Sequence, residues 1–228
     1  MDFPRFQPAG EAGLLVTLGE QIDPFINRRV HALTQALAGS NLNGLGEAVP
    51  GYSTLLIHYD PLAWAYSALC ERIAVFLEDA NDCQQHWQPR LVEIPVVYGG
   101  PFGPDLNAVA QVHNLRPAGV VARHTARDYP VYLIGFMPGF PYLGGLDPAL
   151  ATPRLETPRS HVPAGSVGIA GAQTGIYPLE SPGGWRIIGR TPLRLVDWQR
   201  EPPFLLAPGD MVRFVPLESA EFDDVASA

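Results

Sequence analysis

Apolar and polar residues alternate with two different periods in the first third of the chain. Leu14 to Leu18 is a short apolar run and reads as a strand. Ile22, Ile26, Val30, Leu33 and Leu37 then recur at spacings of three and four, the repeat of one helix face. Asp23-Pro24 supplies a cap and a first-turn proline for that helix, and Gly39 stops it. The same pattern returns downstream. Thr54 to Tyr59 reads as a strand, Asp60-Pro61 as a second cap, and Leu62, Ala65, Leu69, Ile73 and Phe76 as a second apolar face. With further strands around Gly46 to Val49 and at Leu91 to Val97, the order is β-α-β-β-α-β, a split βαβ sandwich. The last of these strands serves equally well as the opening of a second domain.

Beyond Gly99-Gly100 the pattern changes. Two short helices are predicted, Asp105 to Asn114 and Pro117 to Arg127. Short β-like runs follow at Val131 to Phe136, Val162 to Ala170, Trp185 to Thr191, Leu193 to Asp197 and Met211 to Val215. Between them lie turn residues, and 15 of the 23 glycines and 14 of the 24 prolines fall within residues 95–192. Many short strands with such punctuation predict a compact barrel or sandwich. The shift in composition places the join near Gln88-Pro89-Arg90. An α+β domain is therefore predicted over residues 1–88 and a mainly β domain over 89–217. Residues 218–228, acidic and small, read as a frayed tail.

Composition narrows the chemistry. With 46% hydrophobic residues in 228, the chain has the apolar surface that a disordered protein lacks. All 15 basic residues are arginine. The absence of lysine removes Schiff-base chemistry, a lysine nucleophile and the P-loop lysine together. Any anion must then be held by arginine, backbone amides or a metal. A net charge of -8 disfavours nucleic acid and anionic membrane surfaces as partners. No apolar run is long enough to span a bilayer, and Met1 to Arg5 carries no signal-peptide pattern. Cys70 and Cys83 form no CxxC and suit a reducing, cytoplasmic setting, although a disulfide between them stays open. The six histidines show no paired zinc-ligand spacing, so no metal site is expected.

Four stretches carry candidate chemistry. Gly135-Phe136-Met137-Pro138-Gly139-Phe140-Pro141-Tyr142-Leu143-Gly144-Gly145 combines a type II turn signal with aromatics able to wall an apolar pocket; alone it also reads as a turn capping a core. Pro153-Arg154 and Pro158-Arg159 fix two guanidinium forks suited to a carboxylate or phosphate, unless Glu156 and other carboxylates pair with them. Residues 162–175 hold small residues whose amides, with Ser166 and Gln173, suit an oxyanion; their glycines also suit bulges and corners. No Gly-x-Ser-x-Gly elbow is present, which argues against a serine hydrolase. His124 lies on the apolar face of its predicted helix, where a satisfied core histidine is commoner than a base, but Thr125 and Asp128 leave an acid/base role open. Trp185, following Ser181-Pro182-Gly183-Gly184, serves either as a ligand shelf or as core.

Taken in order, His124, Gly135-Phe136-x-Pro-Gly-Phe-Pro-Tyr-Leu143, Pro153-Arg154, Pro158-Arg159, Val162-Pro-Ala-Gly-Ser-Val167, Gln173-Thr-Gly-Ile-Tyr-Pro178, Ser181-Pro-Gly-Gly-Trp185 and Ile188-Gly-Arg-Thr191 closely resemble the KipI/PxpB family, whose members are also known as the first subunit of allophanate hydrolase. The resemblance is strongest over residues 91–216. It implies an N-terminal α/β domain and a cyclophilin-like β-barrel. It also implies a role as the B subunit of a heteromeric, ATP-dependent 5-oxoprolinase. There it works with a homologous KipA/PxpC-like subunit and a separate PxpA-like subunit to open 5-oxoproline to glutamate. In that chemistry Arg154 and Arg159 are expected to hold the anions, Gly165, Ser166 and Gln173 to face the carbonyl, and His124 to move the proton. Phe140, Tyr142, Thr174, Tyr177 and Trp185 are expected to shape the pocket. ATP is implied for the complex, with no site placed on this chain. Two other readings accompany the resemblance: an inhibitor of a sensor histidine kinase, and a carboxyltransferase-like component of the urea carboxylase type. His161 departs from the family pattern, which leaves substrate preference near Arg159 open.

Overall fold

The computed structural model describes residues 3–83 and 89–227. The Cys83 side chain, His86 and Gln88 lie outside the described residues. The chain forms two compact units, Met1–Gln88 and Pro89–Ala228.

In the first unit, β1 (Arg5–Pro8), β2 (Gly13–Thr17), α1 (Pro24–Ala38), β3 (Leu45–Pro50), β4 (Thr54–Tyr59) and α2 (Tyr66–Cys83) follow one another. The strands form an antiparallel sheet in the order β1-β2-β4-β3. Leu14 and Val16 stand opposite Ile57 and Leu55, and all four are buried. Their two-residue period puts them on one face, where they join Val30 and Leu33 of α1 and Leu69 and Ile73 of α2 in a single core. The Asp23 carboxylate starts α1 by accepting from the Phe25 and Ile26 amides at 2.8 and 3.0 Å, with Pro24 in the first turn.

Two expectations change in this unit. Helix α2 starts at Tyr66, because Asp60 closes a turn of its own. Its side chain accepts from the Leu62 amide and its carbonyl from the Ala63 and Trp64 amides. Leu62 is accordingly 95% exposed, and Ile22, ahead of α1, is also exposed. The strand at Leu91 does not belong to this sheet. The edge place beside β2 is taken by β1, whose Arg5, Phe6 and Gln7 pair with Thr17, Val16 and Leu15.

The second unit runs β5 (Leu91–Tyr98), α3 (Leu106–Val112), α4 (Pro117–Thr125), β6 (Asp128–Ile134), β7 (Pro141–Leu143), β8 (Arg159–Val162), β9 (Ser166–Ala170), β10 (Gln173–Ile176), β11 (Ser181–Gly183), β12 (Arg186–Arg190), β13 (Met211–Pro216) and α5 (Phe222–Ser227). Seven strands close a barrel in the order β10-β7-β6-β13-β5-β12-β9, and β8 and β11 form a separate ribbon. β13 runs parallel to β5 over six residue pairs. Ile94, Tyr129, Val167, Ile188 and Phe214 fill the barrel, with Val109 of α3 and Val120 of α4 in the same cluster. The chain is therefore α+β, with a small sandwich and a closed, mainly β barrel.

Several boundaries differ from the pattern. The run from Val162 to Ala170 is two strands, separated by a turn in which Gly165 has φ +81°. Leu193 to Asp197 forms no strand; it makes one bridge, Val196 to Phe204. The acidic end carries a short helix, α5, whose Phe222 ring lies 4.7 Å from that of Phe102, with the Arg190 guanidinium over it at 5.6 Å. The Asp23→Ala variant is expected to lose about 1 kcal/mol of first-unit stability while Asp23→Asn retains most of it, as read from urea unfolding.

Candidate functional site

The turn between β6 and β7 builds one wall of the site. Met137–Phe140 closes as a reverse turn, with the Phe140 amide donating to Met137 O and Gly139 at φ +78°. Just before it, the Met137 amide donates to Gly135 O at 2.7 Å. This tight turn holds Phe136 at φ +65°, a conformation that a bulky side chain adopts only under strain. The Phe136 ring is 67% exposed and meets Phe140 edge-on at 5.6 Å.

Behind it lies a floor of rings. Phe140 packs edge-on against Tyr177 at 5.3 Å and Trp185 at 5.4 Å, and Tyr142 lies 5.0 Å from Phe140. Gly175 makes this packing fit, because a β-carbon there would stand 3.0 and 3.2 Å from atoms of the Trp185 and Phe140 rings. Together with Pro158, Pro182, Gly183 and Gly184, these rings enclose a pocket of about 410 Å³. Arg154 is its one charged lining residue. Its guanidinium lies 5.9 Å from the Trp185 ring, and it has no ion-pair partner among the described residues. The cleft thus offers a small apolar slot with a single cationic anchor.

Of the residues singled out from sequence, Phe140, Tyr142, Arg154, Tyr177 and Trp185 converge here. His124, Arg159, Gly165, Ser166, Gln173 and Thr174 do not line the pocket. Arg159 is held by Asp105, which accepts from its Nη2 at 2.7 Å with one carboxylate oxygen and from the Ile187 amide with the other. Its charge is thereby engaged in bracing the start of β12. The oxyanion reading meets a similar obstacle. The Gly165 amide donates to Tyr177 O, the Ser166 amide to Pro163 O, and Ser166 is 1% exposed. Gln173 begins β10 opposite Ala170. Among the described residues, no group of three or more His, Cys, Asp or Glu side chains is close enough to hold a metal. Phe136, Pro158, Pro182, Gly183 and Gly184 also line the site; they lie within the candidate stretches but were not singled out as site residues. The Pro-Gly turn and the Gly-Gly pair were the available signals.

His124 is fully buried at the end of α4. The Thr174 hydroxyl donates to Gly168 O, so it must accept from His124 Nε2–H at 3.0 Å. That fixes the tautomer: Nδ1 then accepts from the Tyr98 hydroxyl at 2.8 Å. Burial pushes its pKa down to about 3, so the ring is neutral at physiological pH. Its ring 4.5 Å from that of Phe214, it ties α4 to β5 and β10 and does not line the pocket.

Comparison with known proteins places this geometry. Residues 4–206 match the family described as carboxyltransferase domain, subdomain C and D. The chain belongs to that family. Among its relatives, the 5-oxoprolinase B subunit of Bacillus subtilis is 40% identical across 96% of this chain and 95% of its own length. The Escherichia coli O157:H7 protein of the same name is 44% identical over 91% and 93%. The crystal structure of TTHA0988 superposes with a TM-score of 0.79 at 42% identity over 91% of this chain, which spans 40% of that longer chain. In this carboxyltransferase family member the matched span takes in the sandwich and every barrel strand except β13.

Two outcomes test the roles drawn for the rim and the core. Phe136→Gly is expected to stabilise the protein by about 1 kcal/mol by releasing the positive-φ strain, whereas Phe136→Ala, which keeps a β-carbon, gains nothing; urea unfolding separates them. Because folding favours neutral His124, its contribution is complete above pH 6.5 and is lost as pH falls toward 3, at up to about 1.4 kcal/mol per pH unit. A non-titrating His124→Gln protein is expected to be weaker at pH 7 and to show a shallower fall in its urea midpoint over that window.

Proposed function

We propose that this chain is the B subunit of a heteromeric, ATP-dependent 5-oxoprolinase and that the Arg154 pocket receives the lactam substrate. The observation that carries the reading is the pairing of one unengaged guanidinium with a small aromatic slot. A five-membered ring bearing one carboxylate matches it: the ring lies among Phe136, Phe140, Tyr142 and Trp185, and the carboxylate meets Arg154. The 40% and 44% identical relatives, both named as 5-oxoprolinase B subunits, support the same substrate.

The reaction is the hydrolysis of an unactivated amide, coupled to ATP. Transfer of the ATP γ-phosphoryl group to the lactam oxygen releases ADP and activates the carbonyl carbon. One water adds there, the C–N bond breaks with a proton going to the nitrogen, and a second water hydrolyses the resulting acyl phosphate to glutamate and phosphate. This chain binds and orients the ring. It holds no lysine, and its arginines at 159 and 213 are held by Asp105 and Asp128 at 2.7 and 2.8 Å. The nucleotide site is therefore assigned to the assembled complex, with a homologous PxpC-like subunit and a PxpA-like subunit as partners, in the cytoplasm. Among the described residues no helix is long and apolar enough to cross a membrane.

The test is glutamate formation from 5-oxoproline and ATP by the purified PxpA-like and PxpC-like subunits, with and without this chain. Turnover is expected only with it present, and Arg154→Ala is expected to lower kcat/KM at least tenfold through loss of a charge-assisted contact. Full turnover without the chain, or an unaltered Arg154→Ala complex, overturns the assignment. Binding to a sensor histidine kinase by an otherwise inactive complex supports the regulatory reading instead.

A further inference from the structure

Resting on that reading, one polar group in the pocket carries a hydrogen with no protein acceptor among the described residues. Tyr177 follows β10, is 2% exposed, and packs edge-on against Phe140. Its hydroxyl reaches the backbone of β11: a β-carbon placed on Gly183 would stand 2.3 Å from the phenol oxygen. Gly183 lines the same pocket. Glycine at 183 thus leaves the room that the hydroxyl occupies, and any side chain there displaces it.

The hydrogen-bonding inventory at this oxygen is lopsided. The nearby Trp185 backbone N–H favours the charged form of this phenol, against the effect of burial. A phenol also carries one hydrogen to give. Among the described residues no acceptor takes it. Burial raises the phenol above its ordinary range, so the hydrogen stays in place at neutral pH. A phenol O–H that lines an apolar pocket and has no protein acceptor among the described residues is a donor available to a ligand.

We propose that the Tyr177 hydroxyl donates to the lactam carbonyl oxygen of the bound substrate, and that Tyr177 is the residue that distinguishes the lactam from ring carboxylates lacking that oxygen. The carboxylate on Arg154 and the carbonyl on Tyr177 fix the ring at two points. The carbonyl oxygen has two lone pairs; one accepts from Tyr177, and the other stays available to the phosphoryl donor. A pocket with this unpaired donor binds a ligand without the acceptor less well, because the hydroxyl is then desolvated with nothing in return.

The experiment compares two ligands on the assembled complex by equilibrium binding: L-5-oxoproline, and cyclopentanecarboxylate, which keeps the ring and carboxylate but lacks the amide. The unaltered complex is expected to prefer 5-oxoproline roughly tenfold. Tyr177→Phe keeps the ring packing and removes only the hydroxyl. It is expected to erase most of that preference, weakening 5-oxoproline while cyclopentanecarboxylate binds more tightly, since no hydroxyl is then desolvated without a partner. Gly183→Ala, which retains the hydroxyl but moves it, is expected to do the same and covers the case in which Tyr177→Phe fails to fold. Arg154→Ala is expected to weaken both ligands alike. If Tyr177→Phe or Gly183→Ala folds and retains the full preference, the Tyr177 role is wrong. If both ligands bind the Arg154→Ala complex as well as the unaltered one, the pocket reading itself falls.

Discussion

The pocket depends on the Asp105 carboxylate. It sits just before α3, 7% exposed, and its two oxygens face different tasks. One accepts from Arg159, the other from the Ile187 amide, while the Asp105 amide donates back to Ile187 O at 2.8 Å. These bonds fix the start of β12 two residues beyond Trp185, and Arg159 reaches on to Trp185 O. Loss of either partner strands the other in a largely buried place, a costlier outcome than the absence of both. The aromatic floor is positioned by this bracket, and the ring cluster follows from where Trp185 is held.

A second fixed point lies in the barrel interior. The chain from Tyr98 through His124 and Thr174 to Gly168 O assigns each available proton to one acceptor. Such a network joins strands that side-chain packing alone would let slide, because each member has a direction as well as a volume. The bulky groups of the pocket and the polar groups of the core thus have separate duties. Arg159 and His124, which read from sequence as chemistry, are engaged by Asp105 and by Tyr98 and Thr174, whereas Arg154 lines the pocket without an ion-pair partner among the described residues.

That division explains what the sequence discloses. Periodicity finds α1, β4 and α4 because their apolar spacing and caps are local, and the Gly/Pro change marks where the barrel begins. It misses β7, β10 and β11, which are three or four residues long and too short to show a period. It also places Leu91 to Val97 ambiguously, since pairing with β13 is decided more than 110 residues downstream. At the site, the aromatic and proline-rich motifs single out Phe140, Tyr142, Tyr177 and Trp185, and these rings meet around one pocket. Which of two Pro-Arg dipeptides is free depends on Asp105, over 50 residues away from Arg159, and no local pattern encodes that. The resemblance to KipI/PxpB proteins supplied the family, while the separation of core from pocket came from the geometry.

The parallel pairing of β13 with β5 also bears on how the chain acquires its shape. The barrel seam joins residues 91–96 to residues 211–216, nearly the full span of the second unit. Contacts of such long sequence separation are slow to form, since a large loop must close before the pairing returns any free energy. During synthesis the first unit has all its strands and helices once α2 emerges, but the barrel stays open until β13 leaves the ribosome. In that interval β5 presents an unpaired edge and the apolar interior lacks Phe214. The edges of β5 and β6 that β13 later covers are then open to mispairing, the exposure that long-range strand pairing imposes on a folding chain.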